Sequence, residues 1–370
     1  MRILITGADG FLGANLRIRL REAGYQDIVG ITRSSSPQEL VAGLAAADFV
    51  FHLAGVNRPQ TEDEFVRGNR DFTEQLCQAL RSVGRRTPVV FSSSSQAALE
   101  NPYGRSKLAA ENILLSYGRE SGAPVLLFRL TNVFGKWARP DYNSVVATFC
   151  HNVARGLPIR VDDPAAKLRL VYVDDVVDAM LRCLASPGPA AGLMEAGPVY
   201  ETTVGEVADI IRSFFISRST LLTPPVGTGL TRALYATYVT HLPAASFAYQ
   251  IPQYDDPRGT FAEVLKTPDC GQFSYFTAHP GVTRGEHYHH TKAEKFVVIR
   301  GSAKFRFRQI VTGEFHEIVV RGGEGYIVET IPGWAHDITN VGDDELIVML
   351  WANEIFDRAR PDTITMKVVA

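Results

Sequence analysis

Two hydrophobic patterns divide this chain. Up to about residue 240, short apolar and β-branched runs alternate with segments whose apolar positions return every three to four residues. Ile3–Thr6, Ile28–Thr32, Phe49–Leu53, Pro88–Ser92 and Val125–Leu130 read as strands. Phe11–Ala23, stopped by Gly24, reads as a helix, as does a long segment from Glu62 to Val83; another helix starts near Tyr103. This alternation predicts an α/β unit with a Rossmann-like, doubly wound parallel sheet, which binds ligands at the carboxyl ends of its strands. After about residue 245 the helical period disappears. Phe261–Val264, Gly271–Thr277, Lys295–Ile299, Ala303–Gln309, Phe315–Val320, Gly325–Val328 and Glu345–Trp351 are short runs separated by Gly, Pro, Asp and Asn. They predict an all-β sandwich or barrel. The Pro- and Ala-containing stretch Leu242–Pro252 sets the expected boundary, giving domains 1–245 and 246–370. No internal repeat or low-complexity segment interrupts either part.

The 370 residues carry a formal net charge of −2 with both signs mixed along the chain, which argues against a nucleic-acid groove. The apolar start after Met1-Arg2 is too short for a signal peptide. The longest apolar stretch, Leu40–Val56, is broken by Asp48 and His52, so no bilayer span is expected. Cys77, Cys150, Cys183 and Cys270 lack paired spacing; reduced thiols in a cytoplasmic protein are expected.

Candidate chemistry begins at the first strand end. Gly7-Ala8-Asp9-Gly10-Phe11-Leu12-Gly13 is a G-x-x-G-x-x-G loop leading into a helix. Such a loop lets a pyrophosphate approach the backbone at a helix N-terminus. The second strand ends Ile31-Thr32-Arg33 with serines behind it and no carboxylate. An arginine there favours a 2′-phosphate, hence NADPH over NAD, with a solvated surface arginine as the competing reading. In "FSSSSQAALENPYGRSKLAAE", Tyr103 and Lys107 lie four apart at a helix start and share a face. Tyr103 reads as a general acid for a carbonyl oxygen, its phenol pKa lowered by the nearby ammonium. Ser94 is the hydroxyl expected to hold that oxygen.

These features resemble the extended short-chain dehydrogenases/reductases that act on nucleotide sugars, over residues 1 to about 243. "FVFHLAGVNRP", "FRLTNVFG" and "LVYVDDVVDAM" carry the likeness further. The resemblance implies cofactor contacts at Gly7, Gly10, Gly13, Leu53, Ala54, Asn69, Ser92, Tyr103 and Lys107, and a substrate contact at Asn132. Sugar 4,6-dehydratases of that family carry an Asp-Glu pair after the catalytic hydroxyl. Here Ser95 and Gln96 follow Ser94, and neither is an acid or base at neutral pH. Keto reduction or 4-epimerisation remains, and reduction fits a dissociable NADPH better.

In the second part, "GVTRGEHYHHTKAEKFVVIRG" supplies His287, His289 and Glu294, and "PGWAHDITN" supplies His336. His-x-His on a strand faces one side, because side chains alternate. Three imidazoles and a carboxylate suit one divalent ion among Zn, Mn, Fe and Ni, with zinc the first expectation; satisfied barrel histidines are the alternative. The spacings resemble both signatures of the cupins, which are jelly-roll barrels. The stretch "GVTRGEHYH" also resembles metal-independent nucleotide-sugar 3,5-epimerases, in which His287 would be the base and Arg284 a substrate-binding cation. Coordination by all four groups is the favoured reading, and it leaves the base unassigned. A metal beside a 4-keto sugar would stabilise charge formed when the C3 proton leaves.

The whole combination resembles the CapF-type family of bifunctional capsular-polysaccharide enzymes, through "HLAGVNRP", "NPYGRSK", "YNSVVATFC" and "HHTKAEKFVVIRG". That resemblance implies a UDP-linked 4-keto-6-deoxy amino sugar as substrate, C3 epimerisation by the cupin, C4 reduction by the first domain, and a homodimer. The rivals are a single-activity reductase or 4-epimerase with a structural, dimerising cupin.

Overall fold

The computed structural model describes residues 1–185 and 191–369. They divide into two compact units, residues 1–211 with 233–242, and residues 212–232 with 243–370.

In the first unit the strands are β1 Ile3–Thr6, β2 Ile28–Ile31, β3 Phe49–His52, β4 Val89–Ser94, β5 Val125–Leu130, β6 Asn132–Phe134, β7 Lys167–Tyr172, β8 Ala191–Leu193 and β9 Val199–Thr203. β1–β5 and β8 form a parallel sheet in the order β2-β1-β3-β4-β5-β8. The order reverses at β1, and there the glycine loop leaves the sheet. The expected doubly wound architecture is present. β1, β3 and β4 are buried along their whole length, as a sheet covered on both faces requires. Helices α1 Phe11–Glu22, α2 Pro37–Ala46, α3 Glu62–Phe65, α4 Phe72–Val83 and α5 Pro102–Ser121 supply the cover. Leu4, Leu44, Val50, Leu76, Leu80, Phe91 and Leu114 interlock between sheet and helices. α2, which the hydrophobic pattern left unassigned, starts at a capping box between Ser36 and Glu39 with Pro37 at its first position. The segment expected as one helix over 62–83 is continuous but contains a wider π turn, Val66–Asp71, between α3 and α4.

The second unit contains β10 Gln253–Asp256, β11 Gly259–Thr267, β12 Gly271–Ala278, β13 Thr283–Tyr288, β14 Glu294–Arg300, β15 Ser302–Gln309, β16 Phe315–Arg321, β17 Ile327–Thr330, β18 Trp334–Asn340, β19 Leu346–Ala352 and β20 Ile364–Thr365. They make two antiparallel sheets, β10-β11-β12-β19-β14-β17 and β16-β15-β18-β13-β20. Phe276, Phe296, Val298 and Val348 from one sheet meet Phe305, Phe307, Val320 and Ile338 from the other. This is the core an alternating pattern builds between two sheets. Residues 212–232 join this unit because Leu222 bridges Lys266 and the Thr223 N–H donates to the Lys266 carbonyl. No described helix is long and apolar enough to cross a membrane. All four cysteines are free thiols, three of them buried.

Candidate functional site

The strand ends of the first unit open onto a cleft of about 1300 Å³. Gly7, Gly10, Phe11, Leu12, Gly13, Arg33, Leu53, Ser92, Ser94, Tyr103, Lys107 and Asn132 all line it. The glycines fit a dinucleotide loop for steric reasons. Gly7 has φ +68°, and a Cβ there would lie 2.8 Å from the Ala54 nitrogen; one on Gly13 would lie 2.2 Å from the Gly7 carbonyl. Arg33 is exposed at the rim, two residues past the end of β2, and makes no ion pair among the described residues.

Ala54 and Asn69 stand behind this lining rather than in it. Both ends of the Asn69 amide are engaged by protein. Its Oδ1 accepts from the Val56 N–H at 2.8 Å, and its Nδ2 donates to the Val56 carbonyl at 3.0 Å and the Ser106 hydroxyl at 2.9 Å. The π turn carries Asn69, and the amide fixes the loop after β3.

Tyr103 and Lys107 rise from the first two turns of α5, which Asn101 caps by accepting from the Gly104 N–H. Ser94 ends β4. Its oxygen accepts from the Gln96 N–H at 3.2 Å, so its proton is available as a donor. Burial pushes the Tyr103 phenol up, and a hydrogen bond with Ser94 opposes this. The ammonium of Lys107 is not among the groups that shift it, contrary to the sequence expectation. Lys107 instead donates to the Ser92 carbonyl at 2.7 Å and lies 4.3 Å from the Phe91 ring centroid. Its own pKa falls to about 8 through burial, with Glu111 pulling the other way. At pH 7 the site therefore holds a protonated phenol and a protonated amine.

Glu111 was not singled out from the sequence, though it continues the spacing Tyr103, Lys107, Glu111 on one helical face. It is 2 % exposed, accepts from Ser93 at 2.5 Å, and takes a two-pronged ion pair from Arg129 with a shortest contact of 2.7 Å. A second group, at the mouth, left no local signal because distant segments bring it together. Arg58 and Arg139 lie 5.9 and 5.7 Å from the Tyr142 ring, with Trp137 and Arg160 in the same lining.

In the second unit His287, His289, Glu294 and His336 converge, with one donor atom from each within 4.8 Å of the others. His287 pairs with His336 across β13 and β18, while Glu294 starts β14 in the other sheet. His289 lies one residue beyond the end of β13, so the expected strand pair of histidines is half strand and half loop. A β-bulge at Gly285–Glu286, with φ +96° and +59°, lets Arg284 and His287 share the inner face although they are three apart.

The cluster passes the chemical test for a cation. The Nε2 atoms of His289 and His336 each lie 3.4 Å from Glu294 Oε2. The opposite nitrogens donate to the carbonyls of Asp362 and, at 3.5 Å, Trp334, so both Nε2 atoms keep their lone pairs. Burial, with His336 and His289 adding, pushes His287 down to about 4. Arg284 lies 5.3 Å from the Phe276 ring centroid and donates through Nε to the Thr277 carbonyl at 2.9 Å. Its buried Nη2 has no hydrogen-bond acceptor, the nearest carboxylate being Asp256 at 3.8 Å.

Residues 3–193 match the NAD dependent epimerase/dehydratase family, and residues 254–364 match the polysaccharide biosynthesis C-terminal domain. A UDP-2-acetamido-2,6-beta-L-arabino-hexul-4-ose reductase from Pseudomonas aeruginosa is 54 % identical over 368 residues, covering 100 % of this chain and 99 % of that one. The crystal structure of the capsular polysaccharide assembling protein CapF from Staphylococcus aureus superposes with a TM-score of 0.91 at 39 % identity, covering all of both chains. A UDP-glucose 4-epimerase of Thermus thermophilus in complex with NAD, 20 % identical with a TM-score of 0.53, covers 65 % of this chain and shares the fold of the first unit.

Proposed function

Because this chain belongs to the NAD dependent epimerase/dehydratase family, in the form extended by a polysaccharide biosynthesis C-terminal domain, we propose that it is a bifunctional nucleotide-sugar enzyme. The first unit reduces the C4 ketone of a UDP-linked 4-ketosugar. The second inverts C3 of the same sugar beforehand. The substrate is UDP-2-acetamido-2,6-dideoxy-β-L-arabino-hexos-4-ulose and the product is UDP-2-acetamido-2,6-dideoxy-β-L-talose, on the route to UDP-N-acetyl-L-fucosamine for surface polysaccharide. The observation that carries the reductive half is one cleft lined by the glycine loop, Ser94, Tyr103 and Lys107 in a chain 54 % identical to a reductase of this type.

When bound, NADPH would supply the hydride that C4 receives, and Arg33, in the cleft lining, would meet its 2′-phosphate. Ser94 donates a hydrogen bond to the C4 oxygen. Tyr103 gives that oxygen its phenol proton; the burial that raises its pKa keeps the proton available at pH 7. Lys107, protonated at neutral pH, would hydrogen-bond the nicotinamide ribose. Gln96 lines the cleft where a dehydratase has an acid or base, so water is not eliminated. The guanidinium groups of Arg58, Arg139 and Arg160 suit the diphosphate of the nucleotide.

In the second unit His287, His289, Glu294 and His336 would hold one divalent ion, with zinc first. That ion would supply positive charge beside the C4 oxygen and so acidify the C3 proton. Arg284, with its spare N–H donors, binds the sugar nucleotide. Incubation with the ketosugar in heavy water, with and without NADPH, tests the division by NMR. Deuterium enters C3 without NADPH, and C4 is reduced only with it. A chain that oxidises NADPH yet leaves C3 unexchanged has a cupin without catalytic function.

A further inference from the structure

Three of the four donor groups in the C-terminal cluster, His287, His289 and Glu294, lie on one short stretch of chain. That stretch is held from outside by residues 362–366 at successive points. The Met366 N–H donates to the carbonyl of Glu286, within the bulge, at 2.8 Å. β20 pairs with β13, setting Thr365 opposite His287 and Ile364 opposite Tyr288. The Asp362 carbonyl takes the Nδ1 proton of His289. The loop from 290 to 293 then has backbone N–H groups with no strand to receive them. The Asp362 carboxylate collects three of these, from His290 at 2.9 Å, Thr291 at 2.7 Å and Lys292 at 2.8 Å, and the Thr291 hydroxyl at 3.0 Å. Thr363 Oγ1 accepts from Lys292 Nζ at 3.2 Å, and that ammonium stands 3.9 Å from Glu294 Oε1.

One residue thus acts on the cluster in two ways. Its main-chain oxygen sets which nitrogen of His289 carries the proton, leaving the other with a lone pair. Its side chain fixes the loop that separates His289 from Glu294, and therefore the distance between two donors.

We infer that Asp362 is a positioning residue for the metal centre: it touches neither ion nor sugar, and it sets the affinity of the cluster for a divalent cation. The inference rests on reading the cluster as a metal site. Outer partners of ligating histidines in other metalloproteins change metal affinity by about 10- to 100-fold when removed. The same range is expected here.

The test uses the full-length protein, stripped of metal and titrated with Zn²⁺ against a chromophoric chelator, then loaded with Co²⁺ for its visible spectrum. Wild type binds one equivalent, and His336→Ala abolishes that binding. Asp362→Ala weakens Zn²⁺ by about 10- to 100-fold and alters the Co²⁺ bands. Asp362→Asn, which keeps one acceptor oxygen, falls between. Thermal unfolding of the metal-free variants separates positioning from simple support. Equal affinity and spectrum in wild type and Asp362→Ala overturn the inference while leaving the metal site standing. Unfolding of both Asp362 variants before metal is added also overturns it, since Asp362 would then hold the fold and not the centre. A wild type that binds no ion, or a His336→Ala variant that binds as well as wild type, overturns the metal reading itself.

Discussion

In the cleft of the first unit, the polar groups around Tyr103 answer one another. Lys107 is received by the Ser92 carbonyl, Glu111 by Ser93 and Arg129, and Ser94 by the Gln96 backbone and Tyr103. In the second unit the polar groups point into a shared space. Two imidazole nitrogens stand 3.4 Å from the same carboxylate oxygen, a third ring adjoins them, and their outer nitrogens are tied to backbone. The first arrangement is complete as protein and waits for its reactants. The second gathers three imidazoles and a carboxylate around one point, a donor set that suits a cation. A helix built the first, by repeating every fourth residue on one face; two facing sheets built the second, by sending strands from both sides to one point.

The sharpest way to break this contrast is to disable one side at a time. Tyr103→Phe is expected to cut ketone reduction by about 10²- to 10⁴-fold, the range of a general acid. C3 exchange in heavy water should continue at the wild-type rate. Chelation of the metal, or His336→Ala, is expected to do the opposite, removing exchange while the C3-inverted ketone is still reduced. If chelation stops both reactions, the two sites are not independent.

A smaller effect concerns the cofactor. Arg33→Ala should narrow the preference for NADPH over NADH by roughly 10- to 100-fold, matching about 1.5–3 kcal/mol for a hydrogen bond to a charged group. The ratio of kcat/KM for the two cofactors reads it directly. An unchanged ratio makes Arg33 an ordinary surface residue.

pH sharpens the comparison further. Because the Lys107 pKa is lowered to about 8, its ammonium is lost as pH rises past that value, and reductive kcat/KM should decline there. Glu111 opposes that lowering, so Glu111→Gln should move the decline to lower pH and leave C3 exchange alone. The smallest effect is on stability. His52 is buried, hydrogen-bonded to Thr6 and Thr73, and lowered to about 3 from 6.5. The unfolded chain binds the extra proton first, so stability falls as pH drops below about 6.5, by about 1.4 kcal/mol per unit. Denaturant titrations should show that slope reduced in His52→Gln.

Much of both sites could be read from the chain because each uses a regular repeat. The glycine loop, Tyr103 with Lys107, and His287 with His289 follow local spacings, whereas β13 and β18, which carry His287 and His336, fall outside the apolar runs that mark the other strands. Glu111 obeys the same spacing, but a glutamate on a helix is ordinarily solvated, so spacing alone does not mark it. Arg58, Arg139 and Tyr142 had no such repeat to betray them. The bulge at Glu286 and the ties from Asp362 join residues far apart in sequence. Neither has a periodic signature, since backbone conformation and backbone hydrogen bonds leave the residue pattern unchanged. The excursion of 212–232 into the second unit is held by backbone bonds of Leu221, Leu222 and Thr223 with Lys266, which leave the residue pattern equally unmarked.

The wide turn at Val66–Asp71 has a mechanical consequence. Successive residues of a regular helix are offset by about 100°. The segment 62–83 must aim Asn69 at the loop after β3 and also bury Leu76, Cys77 and Leu80 against the sheet. Those two bearings need not agree in a uniform spiral. The wide coil that carries Asn69 resets that bearing before α4 begins, so the grip on the loop and the seat on the sheet are both met. Shortening it by a single residue would swing one of them out of alignment with the other.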